Sequence, residues 1–229
     1  MNNGQPMNKE RAMLVREAEA IVGGLSDPSK MPGKAFGLPA WLCKVGGHLQ
    51  HVEGSTCFHC YALRGMYVLP GTKNAQLHRH DIMMEALGDP VKREQWIQAM
   101  ICLLVKKGSP RYSRYFRWHD SGDLQSQAHF KLILEVCRRT PQIKHWLPTR
   151  EYQIVNCYLG DIPENLVIRL SAHMVDHAPP KTERFNTSTV HTGEPKYGNP
   201  CYAYKRDNAC GDCRECWEAD IANVSYPKH

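Results

Sequence analysis

Seven of the ten cysteines fall into two sets, and each set restricts how the chain around it can fold. Cys43, Cys57 and Cys60 are spaced C-x13-C-x2-C, and Cys201, Cys210, Cys213 and Cys216 are spaced C-x8-C-x2-C-x2-C. Two residues between cysteines make a turn that points both sulfurs the same way, so such a segment can converge on one ion or cluster. Zinc sites usually join separated C-x2-C pairs. The successive steps Cys210, Cys213, Cys216 instead resemble the ferredoxin way of wrapping an iron–sulfur cluster. The spacing predicts a metal protein, with iron–sulfur ahead of zinc. Cys102, Cys137 and Cys157 fall within helical patterns and read as small buried apolar residues.

A chain of 229 residues can bury one sizeable core, and a single domain over 1–229 is expected. No apolar run reaches the roughly 20 residues of a membrane span, and the first residues lack the charged-then-apolar layout of a secretory signal. A cytoplasmic protein with reduced thiols is therefore expected, rather than a disulfide-stapled secreted one. The formal net charge of +6 is weaker than a dedicated nucleic-acid binder usually carries. Arg111, Arg114 and Arg117 alternate with Tyr112, Tyr115 and Phe116; this could be a base-stacking surface, but a strand entry with snorkelling arginines is the preferred reading.

Apolar residues at helical spacing predict helices over 9–25, 71–87, 91–107, 124–139 and 151–159. Residues 28–40 read as a loop or short strand. Short strands are predicted at 115–118, 143–147 and 166–170, and strand–helix–strand alternation implies parallel pairing. The three strands run into His119-Asp120-Ser121-Gly122-Asp123, Pro148-Thr149-Arg150-Glu151 and Ser171-Ala172-His173. Ligand sites in parallel α/β sheets are built at the carboxyl ends of strands. Each residue alone has a structural use: Asp120, Asp123 or Glu151 as a helix cap, His119 or His173 as a hydrogen-bonded core histidine. Three strand ends carrying such residues together point to a site.

Several stretches resemble the bacteriophage "gene product eighty-eight" family: residues 43–47, 54–62, 116–123, 145–151, 163–169 and 210–217. They lie in order across most of 30–220. The family is similar to radical-SAM-like proteins, and the resemblance implies an α/β protein with a partial (β/α) TIM-like barrel, phage-encoded, holding one or two 4Fe-4S clusters. It would place an N-terminal helix in 1–30, the barrel core and first cysteine set in 31–195, and a cysteine-rich segment in 196–229. Radical-SAM proteins hold a cluster on C-x3-C-x2-C and leave one iron open for S-adenosylmethionine; here thirteen residues replace the first three. A cofactor in the barrel mouth would meet Tyr61, Gly65, Ser121 and Asp123, with Gly65 the nearest candidate to receive the methionine amino group.

Two cluster arrangements fit the spacing. Either each cysteine set holds its own cluster, or one cluster takes four ligands drawn from both sets; seven thiols are too many for one cluster and favour the first. As an enzyme, the chain would use Arg150 to bind a carboxylate or phosphate, and His119, Asp120, Glu151 and His173 to orient a small-molecule or macromolecular substrate or move protons. A reductase or ferredoxin would supply electrons. The alternatives are a non-catalytic iron–sulfur protein for electron transfer, sensing or structure, and a zinc-stabilised nucleic-acid module. Host cytoplasm is the expected location if the chain is phage-encoded, and no membrane partner is expected.

Overall fold

The stretch Leu166–Ser171 is buried at every position. An apolar run of this kind belongs to a strand with both faces covered. In the computed structural model, which describes residues 13–105 and 114–228, it is the central strand of a seven-stranded sheet. The strands are β1 (Ala35–Phe36), β2 (Tyr115–Trp118), β3 (Lys144–Thr149), β4 (Leu166–Ser171), β5 (Asn186–His191), β6 (Asn199–Pro200) and β7 (Asn223–Pro227). Every neighbouring pair is parallel, in the order β1-β2-β3-β4-β5-β7-β6.

Parallel neighbours need a crossover. Helices α2 (Lys44–Leu49), α3 (Pro70–Gly88) and α4 (Pro90–Val105) lie between β1 and β2; α5 (Gln127–Arg139) links β2 to β3, and α6 (Tyr152–Asn156) links β3 to β4. Before the sheet, α1 (Val15–Val22) packs on α4, which also touches α3 and α5. Trp96 of α4, fully buried, meets Phe36 edge-on at 5.5 Å, and Phe36 meets Trp118 at 6.2 Å. These contacts fix β1 and β2 against the helical layer. No helix among the described residues is long and apolar enough to cross a membrane.

Helix α5 buries Phe130, Ile133, Leu134 and Cys137, the face its periodicity predicted. It starts at Gln127 rather than 124, because Ser126 is its cap and accepts from the His129 N–H at 3.1 Å. The predicted helix at 151–159 stops at Asn156, and Cys157 is exposed rather than buried. Residues 9–12 and 106–107 of two predicted helices, with Arg111 and Tyr112, lie outside the described residues. Strands β5, β6 and β7 are absent from the sequence reading. In β5, Thr187, Ser188 and Thr189 are buried without an apolar run to mark them. The Thr187 hydroxyl satisfies itself on Asn223 Oδ1 at 2.9 Å, and the Ser188 hydroxyl on Ser171 Oγ at 3.1 Å.

Candidate functional site at the carboxyl ends of the strands

Strand β2 leaves the sheet through His119, whose φ of 59° lies in the left-handed region. His119 N–H still donates to the Phe36 carbonyl at 3.1 Å, so the backbone turns sharply while remaining tied to β1. Ser121 then locks the turn: its hydroxyl donates to Leu38 O at 2.8 Å and accepts from Gln76 Nε2 at 2.9 Å. Gly122 follows at φ 77°, where a Cβ would stand 2.7 Å from that of Leu38; no larger residue fits there.

Asp123 joins the ends of β2 and β3. Its carboxylate accepts from Thr149 Oγ1 at 2.6 Å, Arg150 N at 2.9 Å and Leu124 N at 2.8 Å. Burial outweighs these bonds and pushes its pKa up to about 6. Asp123 is therefore no cap for α5. Glu151 is no side-chain cap for α6 either: Glu151 Oε1 accepts from Val45 N at 2.9 Å, in the first turn of α2. His173 stacks on Tyr152 at 4.5 Å.

These strand ends and the loops above them enclose a cavity of about 580 Å³. Cys43, Cys57, Cys60, Tyr61, His119, Asp120, Ser121, Asp123 and Arg150 line it. Glu151 and His173 do not stand among its lining residues, nor does Gly65, whose Cβ position faces open space.

The first cysteine set meets around α2. A Cβ added to Gly46 would lie 3.8 Å from Cys43 Sγ and 3.6 Å from Cys57 Sγ, so both sulfurs flank a single small residue. The loop carrying Cys57 and Cys60 is tied to the end of β4. Thr56 N–H donates to His173 O at 2.8 Å, Thr56 Oγ1 donates to Ala172 O at 3.1 Å and accepts from Arg150 Nε at 2.9 Å. Burial pushes the Cys43 thiol up, with Asp123, Cys60 and Cys57 adding to it and Arg150 opposing. Burial also raises Cys57, against Arg150. Buried thiols such as Cys43 and Cys57 favour ionisation only with a cation beside them.

The other four cysteines lie in the segment tied to β7, where Cys216 meets Tyr226, a residue that also lines the cavity. Cys201 N–H donates to Ser225 O at 2.8 Å, Cys213 N–H to Cys210 O at 3.1 Å, and Cys216 Sγ lies 3.1 Å from Tyr226 Oη. Burial pushes Cys201, Cys210 and Cys216 up, Cys216 to about 12, and Cys201 is among the secondary causes for both Cys210 and Cys216. Arg169, fully buried on β4, anchors this segment by donating to the carbonyls of Glu215, Cys216, Glu218, Ile221 and Thr187. Trp217 adds a bond from Nε1 to Phe116 O at 2.9 Å. Of the remaining cysteines, Cys137 is buried as expected, Cys102 partly so, and Cys157 not at all. Among the described residues no three His, Cys, Asp or Glu side chains are drawn together for a single metal ion. A cluster takes one thiolate per iron, so its cysteines need not converge on one atom.

Arg117 corrects the sequence reading. Phe116 and Trp118 of β2 are buried in the core, and strand alternation turns Arg117 to the opposite face, where it lines the cavity instead of snorkelling to solvent. Its guanidinium lies 4.6 Å from the Trp146 ring centroid, and Nη2 donates to Tyr61 Oη at 3.4 Å. Tyr61 Oη in turn donates to the Asp120 carbonyl at 2.7 Å. The alternation Tyr115-Phe116-Arg117-Trp118 held the signal, because the one charge faces away from two core aromatics.

A parallel α/β sheet whose carboxyl edge carries a cavity walled by thiols, arginines and buried acids defines an α/β protein with its candidate ligand site at the strand ends. The chain matches the family model described as Gene product 88 over residues 7–220, and it belongs to that family. No curated protein and no solved structure matches it.

Proposed function

We propose that this is a phage-encoded iron–sulfur protein of radical-SAM-like type, with an open-site 4Fe-4S cluster on Cys43, Cys57 and Cys60 and a closed one on Cys201, Cys210, Cys213 and Cys216. The observation that carries the reading is the first set's position: three thiols on the wall of one cavity at the carboxyl ends of the strands, two of them flanking Gly46. Strands β1 to β5 lie side by side in chain order, which supports reading the sheet as a partial TIM-like barrel.

When bound, the open cluster would supply one electron to a sulfonium cofactor such as S-adenosylmethionine. The chain's own residues hold and orient. Arg150, fixed through Nε by Thr56, presents its remaining donors to a carboxylate or phosphate. His119 stays neutral because burial, His129 and Arg117 all disfavour its charged form, so it serves as an uncharged hydrogen-bonding group that orients a ligand. Asp123, near pH 6, can exchange a proton. Glu151 acts behind the wall by holding α2, and with it the turn after Cys43.

Anaerobic purification with iron and sulfide counts tests the reading. About eight irons per chain support two clusters and about four support one. An EPR signal of the reduced protein that changes on adding S-adenosylmethionine supports the open site; an unchanged signal leaves a non-catalytic cluster protein. Zinc without iron sinks both.

A further inference from the structure

We propose that Arg117 is the anchor of an anion site in this cavity, and that the ligand is an organic carboxylate or phosphate. The site shares the cavity of the proposed function but does not rest on iron. Stacking on Trp146 fixes the plane of the guanidinium. Trp146 is itself immobilised, 6% exposed, with Trp217 edge-on at 5.2 Å and Tyr226 beside it at 6.5 Å. The donors are under-used by the protein. Nη1 reaches only Met31 Sδ at 3.6 Å, the Tyr61 contact is long, and Nε is buried with no partner. Among the described residues no carboxylate lies within ion-pair distance of Arg117.

The same wall carries two further buried polar groups with unpartnered atoms. His119 is 2% exposed with both ring nitrogens unpartnered, and Asp120 is 6% exposed with Oδ1 unpartnered. Asp120 is the nearest acid, and its carboxylate is shared: Arg117 and Arg79 both favour its charged form against burial, so two guanidiniums face one carboxylate. A half-buried donor fork left open on a cavity wall is free to pair with the oxygens of an anionic ligand. The volume of about 580 Å³ suits an organic molecule rather than a bare ion. Arg150 differs from Arg117 in that its Nε is committed to Thr56, which leaves it fewer free donors.

The test is calorimetric titration of the full chain, with iron counted in the same sample, using phenyl phosphate, benzoate and the neutral benzyl alcohol. The expected result is millimolar or tighter binding of at least one anion and none of the alcohol; the preferred anion tells phosphate from carboxylate. Arg117→Lys keeps the charge but loses the fork, and should weaken binding about 10- to 100-fold. Phenylglyoxal modification mapped by mass spectrometry should slow at Arg117 when the anion is present, and this decides the matter if the variant does not fold. Binding of the alcohol as well as the anions, no anion binding at millimolar concentration, or protection at Arg150 instead of Arg117 would overturn the proposal. Lack of iron in a sample that binds the anion would sink the iron–sulfur reading alone.

Discussion

Replacing Arg169 by methionine tests whether one buried cation holds the second cysteine segment in place. Three of its five carbonyl contacts are short, at 2.8 Å to Glu215, 2.8 Å to Ile221 and 3.0 Å to Glu218. A hydrogen bond from a charged donor contributes about 1.5–3 kcal/mol, so the three together contribute roughly 4–5 kcal/mol even at the low end. Methionine fills most of the volume and removes a cation with no ion-pair partner among the described residues, which returns about 1–2 kcal/mol. The net loss is about 3 kcal/mol. For a chain of this size that lowers Tm by about 6–12 °C. Hydrogen exchange should also rise selectively in residues 215–221, because the lost bonds all hold that segment or its neighbour. Arg169→Lys, with one head group and three donors, should fall between the two. A methionine variant with unchanged Tm and unchanged exchange at 215–221 would refute the assignment of Arg169 as the anchor.

The remaining predictions concern the site wall, acid stability and thiol access. Gly122→Ala forces a side chain into the left-handed region and onto Leu38, and should cost about 2–4 kcal/mol in urea unfolding; a loss below about 1 kcal/mol would show that the turn can relax. His145 is fully buried, and burial lowers its pKa to about 3. Thr140 Oγ1 already donates to Val136 O at 2.7 Å, so His145 Nε2 must carry the proton it shares with Thr140 at 2.9 Å. The unfolded chain binds a proton near pH 6.5 and the folded one does not, so stability is full above that pH and falls as pH drops toward about 3. At pH about 4 the loss from this one group is about 3 kcal/mol, and His145→Gln should flatten the stability–pH curve by that amount. With a thiol reagent on the native, metal-free chain, Cys157 should react first and Cys137 only on unfolding; prompt modification of Cys137 would contradict its burial.

The sheet was legible where burial and apolarity coincide and hidden where they part. Helix α5 and strands β2, β3 and β4 carry apolar residues at the right period, and their ends delivered His119, Asp120, Asp123 and Arg150 to one cavity. Strand β5 reads Asn-Thr-Ser-Thr-Val-His, and its hydroxyls are buried only because partners on β4 and β7 accept or supply their hydrogen bonds. No local pattern reveals partners so distant in sequence. Glu151 was visible as an acid after a strand, but its partner Val45 lies 106 residues away. The cysteine spacing marked both sets; the ties of Cys201 to Ser225 and of Cys216 to Tyr226 depended on β7, which the sequence reading lacked.

Strand β7 sits between β5 and β6 although it follows both in the chain. Neither the edge of the sheet nor β6 can be completed until this later segment has entered the gap. The intervening stretch, 192–222, contains all four cysteines of the second set, and two of them are held by β7 itself, Cys201 through Ser225 and Cys216 through Tyr226. Before β7 arrives those thiols are spread along an open loop, and afterwards they are gathered. Closing such a loop costs little more for its length, so the insertion of one strand also fixes the path of the segment that carries the four thiols. Completion of the sheet and placement of the cysteine-rich segment are then coupled in this chain.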